Sequence, residues 1–240
     1  MNFLGTTEKY VLNTKKQCIN AIEIIARALG DLNEQVVYVG GAVAGLYVDD
    51  PAAPEIRPTK DVDIVVEVAS LFQLEELRQK LAARGIHPAR DEKVICRFTY
   101  RNTLLDIMGT REIGWAPANP WFQEGFKHAQ IHSLDSIKIK IMPLAYYLAA
   151  KFAAFRNRGN DPRFSHDFED IVYILDNRTT FLPILESDED VKSFLVSEFK
   201  SIFVSETLQE AILAHLEPPT QTKRYETLVR KLQKIIGDLK

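Results

Sequence analysis

VVYVGGAVAGLYVDDPAAPEIRPTKDVDIVVEV, residues Val36 to Val68, holds two β-forming runs separated by a glycine pair and a proline-rich connection. Val36 to Val39, apolar or aromatic throughout, runs straight into Gly40-Gly41 and a further apolar segment. That order predicts a buried strand, a tight turn and a short helix. Glycines without Cβ let the backbone approach a bound group, and free N–H groups at a helix start suit an anionic phosphate. The second run, Lys60-Asp61-Val62-Asp63-Ile64-Val65-Val66, opens with two aspartates two residues apart. On a strand such residues point the same way, so both carboxylates face one spot. Like charges held that close repel unless a cation joins them, and hard divalent ions prefer carboxylate oxygens. The pairing of glycine turn and aspartates outlines a metal-dependent phosphoryl or nucleotidyl transfer site.

Outward from this stretch, the connection Asp49 to Thr59 carries Pro51, Pro54 and Pro58 and predicts an ordered surface loop. Upstream, apolar positions from about Thr6 to Leu29 fall mostly on one helical face, and Gly30 supplies a stop; Asp31 to Gln35 reads as a loop. Downstream, Ser70 to Arg84 has leucines at 71, 74, 77 and 81, with Ser70 as cap and Gly85 as stop. Val94 to Tyr100 and Thr103 to Met108 form a predicted hairpin around Arg101-Asn102. Its second strand carries Asp106 among apolar residues, and a lone carboxylate there must be paired, protonated or bound to metal. The aromatic loop from Gly109 to Gly125, with Trp115 and Trp121, either walls a pocket or plugs one end of the sheet. A further strand is expected at His128 to His132, and from Pro143 onward the pattern turns helical. A boundary is placed near Ser136 to Met142, giving residues 1–138 as a catalytic domain and 139–240 as a helical domain completing the nucleotide and acceptor site. The expected class is α+β, a mixed sheet flanked by helices followed by an all-α part.

At 240 residues and 46% hydrophobic content the chain can bury a substantial core. A formal net charge of -3 gives no general polyanion-binding signature. Cys18 and Cys96 have no metal or redox spacing, which points to a reduced, cytoplasmic setting. No signal peptide or membrane-length apolar run is read.

Glycine turn, paired aspartates and a third aspartate on a later strand resemble the nucleotidyltransferases of the DNA polymerase β superfamily. Gly40-Gly41 with Ala44 and Leu46, then Arg57-x-Thr59-x-Asp61-x-Asp63, Lys151-x-x-Ala154-x-x-x-Arg158 and His166-Asp167-x-x-Asp170, are similar to the AbiEii/AbiGii toxin-type branch. The resemblance implies Mg²⁺ or Mn²⁺ held by Asp61, Asp63 and Asp106, with Asp106 also assisting at the acceptor proton. It implies phosphate contacts from Gly40 and Gly41, orientation or anion pairing from Arg57 and Thr59, a triphosphate contact from Lys151, and positioning of base, sugar or acceptor by Asp167. The implied partners are an NTP, an RNA (tRNA) end or a protein side chain as acceptor, and a cognate antitoxin protein. Two positions depart from the pattern: Ala42 stands where many members have serine, and His166 where the branch tends to have arginine.

Other readings stay open at this stage. The aspartate strand is also compatible with a solvent-facing sheet edge, and Asp106 with a pair to Arg97 or Arg101. Lys151 also fits a snorkelling side chain, and Asp167 a helix-dipole residue. A non-catalytic nucleotide- or partner-binding module, or a small-molecule (antibiotic) nucleotidyltransferase, is the alternative function.

Overall fold

The computed structural model describes residues 14–89 and 94–238. Among the described residues seven strands form one mixed sheet: β1 Val36–Val39, β2 Asp61–Val66, β3 His87–Pro88, β4 Arg97–Tyr100, β5 Thr103–Gly109, β6 Gln130–Ser133 and β7 Lys138–Ile141, in the order β3-β4-β5-β2-β1-β7-β6. β1 is buried along its whole length because it lies in the middle, antiparallel to β2 and parallel to β7. Its Tyr38 buries a phenol that donates to Asn33 Oδ1 (2.8 Å), and Asn33 Nδ2 donates to the Lys138 carbonyl (2.9 Å). That relay satisfies the polar atoms and ties β1 to β7; each such bond contributes about 1 kcal/mol.

Helix α1, Thr14–Leu29, buries Cys18, Ile22, Ile25, Ala26 and Leu29, the face expected from the sequence, and packs against β2 and β5. The expected start near Thr6 lies outside the described residues. Gly30, at φ +57°, turns the chain into a 3-10 segment, Gly30–Gln35, where a loop was expected. Helix α2, Leu71–Ala83, starts at Ser70, whose Oγ accepts from the Gln73 N–H (3.2 Å). Leu74 and Leu81 are buried, but Leu71 is 61% exposed, so the packing face is narrower than the leucine spacing suggests.

The hairpin β4–β5 forms as predicted, Tyr100 facing Thr103 across Arg101-Asn102. Arg101 takes positive φ in the turn. β7 occupies the stretch in which a boundary was expected. Its Ile137-Lys138-Ile139-Lys140-Ile141 alternation is a strand signal, with Ile139 and Ile141 buried. Short helix α3, Phe122–Lys127, ends the aromatic loop, where Trp115 packs on Phe98 and Trp121 on Phe194. Six helices follow: α4 Leu144–Arg158, α5 His166–Asn177, α6 Leu182–Leu185, α7 Glu189–Val204, α8 Glu206–His215 and α9 Gln221–Asp238. α4 stops at Gly159 in the left-handed conformation, and Ser165 caps α5 through its Oγ to the Phe168 N–H. α5 packs against the segment after the glycine pair, which carries its acidic residues to the sheet end. The buried apolar side chains of sheet and helices make one continuous cluster. Cys18 and Cys96 are free and buried. Among the described residues no helix is long and apolar enough to cross a membrane.

Candidate functional site

β2 runs between β1 and β5, so the aspartate strand is interior and not a sheet edge. Its register with β5 sets Asp63 directly beside Asp106 on parallel strands, with Asp61 two residues earlier on the same face. The three aspartates therefore stand on one face of neighbouring strands. On β1, Val39 pairs with Asp63, and the chain leaves that strand at Gly40 beside the carboxylate.

Gly40 has φ +71°, and a Cβ built on it would come within 2.5 Å of Asp63 Cγ. A Cβ on Gly41 would lie 2.6 Å from Arg57 Nη2. Gly40 is thus required by its backbone conformation and by the closeness of Asp63, while Gly41 leaves room for the Arg57 guanidinium. The segment after them, Gly41–Leu46, is a 3-10 helix and not an α-helix. Tyr147 on α4 pins the turn, its Oη donating to the Gly40 carbonyl (2.8 Å).

Arg97 on β4 faces Asp106 in the antiparallel register and completes the arrangement. Its Nε donates to Asp106 Oδ1 (2.7 Å), while Nη2 donates to Asp106 Oδ2 (2.7 Å) and to Asp61 Oδ2 (2.9 Å). Of the two pairings open for Asp106, the one with Arg97 is present. Thr59 donates from Oγ1 to Asp61 Oδ1 (2.9 Å), fixing that carboxylate from the other side. Asp63 receives neither bond, and burial together with the charge of Asp61 pushes its pKa up to about 7, with Lys151 and Arg158 partly opposing and Asp106 adding to the rise.

A second charged layer lies on α4 and α5. Arg57 donates to Asp170 with both Nε (3.0 Å) and Nη2 (3.1 Å), and Lys151 Nζ stands 2.7 Å from Asp170 Oδ2 and 3.1 Å from Asp167 Oδ1. Arg158 pairs with Asp167 as well. Lys151 is only 8% exposed, so it does not snorkel, and Asp167 neutralises cations instead of merely facing a helix dipole. Burial alone would raise the Asp170 carboxyl, but Lys151 and Arg57 outweigh it and hold its pKa below the ordinary value. Burial likewise opposes the charged form of Lys151, and Asp170 and Asp167 more than compensate. His166, at the start of α5, contacts Glu169 through Nδ1 (3.1 Å).

All the sequence-predicted residues lie in these two layers: Asp61, Asp63, Asp106, Gly40, Gly41 and Thr59 on the sheet side, Arg57, Lys151 and Asp167 on the helical side. Asp170 and Arg158 stood in the motifs without an assigned role, and Tyr147 carried no signal beyond its place on an apolar helix. Among the described residues no three His, Cys, Asp or Glu side chains form a ready metal cage. The donor set nevertheless fits a hard cation: three carboxylates crowd one face, and two of them already accept a positive guanidinium.

No protein-family model matches the chain, and a comparison with curated proteins gives no match. Among solved structures the chain is similar to an antigenic nucleotidyltransferase-like protein from Paracoccidioides brasiliensis, with a TM-score of 0.47 and 16% identity over 83% of this chain and 93% of that one. It is also similar to the antibiotic-resistance factor ANT(2'')-Ia, with a TM-score of 0.48 and 11% identity over 79% of this chain and 97% of that one. The chemistry rests on the side chains just described.

Proposed function

We propose that the protein is a nucleotidyltransferase that moves a nucleoside monophosphate from an NTP to an acceptor hydroxyl and releases pyrophosphate. The observation that carries this reading is the side-by-side register of Asp63 and Asp106, with Asp61 on the same face, next to the Gly40-Gly41 turn. In the reaction the acceptor oxygen bonds to the α-phosphorus, the bond between that phosphorus and the bridging oxygen breaks, and the acceptor proton is lost. Mg²⁺ or Mn²⁺, held by Asp61, Asp63 and Asp106, would supply charge neutralisation at the triphosphate and acidify the acceptor hydroxyl.

The chain's own side chains do the rest. Gly40 and Gly41 leave room for phosphate oxygens against the backbone. Lys151 and Arg57, oriented by Asp170, offer positive charge to the triphosphate from the helical side. Asp106 assists at the acceptor proton, and Asp167 with Arg158 borders the base, sugar or acceptor. Within this class, the motif spacing favours a toxin-type enzyme of AbiEii/AbiGii kind, acting in the cytoplasm on an RNA (tRNA) end or a protein side chain and neutralised by a cognate antitoxin. Residues 1–138 would then be the catalytic domain, and the helical residues 139–240 would complete the site.

The reading is tested by incubating the purified protein with α-labelled NTPs, Mg²⁺ and separate RNA and protein fractions. One fraction becomes labelled, and Asp61→Ala and Asp63→Ala abolish the label. The absence of a hydroxyl at Ala42 favours a second reading, a nucleotide-binding module without turnover. NTP binding by calorimetry with no pyrophosphate release across RNA, protein and small-molecule antibiotic acceptors would establish that alternative.

A further inference from the structure

Nucleotidyl transfer calls for cations among the three aspartates but does not call for an arginine there. Arg97 nevertheless occupies that place, bonded to both oxygens of Asp106 and to Asp61 Oδ2, with 17% of its side chain exposed. A planar guanidinium matches a carboxylate bidentately, so these bonds are directional as well as electrostatic. The strand carrying it, β4, is second from the sheet edge, and its register opposite Asp106 aims the side chain at the carboxylates.

We infer that Arg97 is a built-in counter-cation: its guanidinium holds Asp61 and Asp106 together in the free protein and must withdraw from them when a divalent cation binds. The inference rests on the nucleotidyltransferase reading of the three aspartates. Its logic is competition for oxygens. Both oxygens of Asp106 and one of Asp61 already accept N–H bonds from Arg97, and an oxygen engaged in this way is less available to a second cation. Asp63 lies outside the Arg97 bonds. Arg97 therefore covers one part of the carboxylate set and leaves another open. Two consequences follow. Divalent cations bind the free protein weakly, because binding includes the cost of breaking three charge-assisted hydrogen bonds. Asp61 and Asp106 also keep their positions without metal, because an internal cation offsets their repulsion.

Mn²⁺ alone serves as the probe, titrated by calorimetry at constant ionic strength into metal-free wild type, Arg97→Gln and Arg97→Lys. Arg97→Gln binds Mn²⁺ about tenfold or more tightly than wild type, and Arg97→Lys, which keeps the charge but loses the fork, falls between them. Metal-free Arg97→Gln also melts below wild type, and Mn²⁺ raises its melting temperature more than it raises that of wild type. Affinity equal to or weaker than wild type in folded Arg97→Gln overturns the inference. Should that variant fail to fold, Arg97→Lys decides, and unchanged or weaker affinity overturns it. Wild type that binds Mn²⁺, with variants that match it, removes Arg97's role and leaves the transferase reading standing. No Mn²⁺ binding by wild type or either variant instead removes the cation site itself, and Arg97's role with it.

Discussion

Gly40 lies so close to Asp63 that a Cβ on the glycine would come within 2.5 Å of the aspartate Cγ. The glycine turn and the first carboxylate pair are therefore one packed unit, and neither can be altered without moving the other. The positive φ of Gly40, +71°, adds a backbone requirement to the steric one.

Gly40→Ala is expected to cost about 1–3 kcal/mol of stability through strain at positive φ and displacement of the Asp63 carboxyl. Nucleotidyl transfer should fall by about a hundredfold or more, since a reacting group shifted by an ångström forfeits its alignment. Thermal denaturation and pyrophosphate release measure the two effects. A variant with wild-type turnover would contradict the proposed place of this turn in the site.

Tyr147→Phe removes the hydroxyl that donates to the Gly40 carbonyl at 2.8 Å and leaves the buried ring in place against Tyr47. About 1 kcal/mol of stability should be lost. A looser turn should raise the KM for NTP by roughly tenfold while kcat changes less. Steady-state kinetics separate the two, and an unchanged KM would show that the bond has no part in substrate binding.

Asp170→Ala leaves Arg57 and Lys151 without their shared buried partner. Breaking a buried ionic group from one side typically costs about 3–5 kcal/mol, and chemical denaturation should show a loss of that order. Asp170→Asn, which retains hydrogen-bond acceptance but not charge, should lose less. A loss below about 1 kcal/mol in the alanine variant would mean that solvent reaches these cations freely.

Asp63 provides the pH test. Its pKa rises from an ordinary 3.8 to about 7 in the fold, so the folded state favours the protonated carboxyl. The stability this group contributes is fully present below about pH 3.8 and is lost as pH rises to and through about 7. Asp63→Asn cannot ionise, so above pH 7.5 the metal-free variant should exceed wild type by on the order of 2–4 kcal/mol, and the gap should close towards pH 4. Urea denaturation at a series of pH values checks the trend, and a gap that widens on acidification would reverse the assignment. Millimolar Mn²⁺ should stabilise wild type and leave Asp63→Asn nearly unaffected.

Much of the architecture was legible because strands and helices announce themselves over a few residues. The run Val36 to Val39, the alternation after Asp61, the hairpin at Arg101-Asn102 and the Ser70 cap each depend on neighbours in sequence. Some local features were read differently. Lys138–Ile141 alternates as a strand should, but its closeness to the helical half hid its place beside β1. The apolar segment after Gly41 resembles a short α-helix in composition, yet its chain winds more tightly. Leu71 follows the leucine spacing but finds nothing to pack against at the start of α2.

By itself the sequence determined which residue types stand two apart on a strand, where glycine is tolerated, and in what order the acidic and basic motifs arrive. Those are consequences of backbone period and side-chain chemistry, which act locally. Only the tertiary structure decided that Asp106 sits beside Asp63, that Arg97 joins Asp106 to Asp61, and that Asp170 gathers Arg57 from 113 residues away together with Lys151. Pairings of that kind depend on strand register and on how α5 packs against the sheet end, and both are settled by burial of the whole core and not by any one segment.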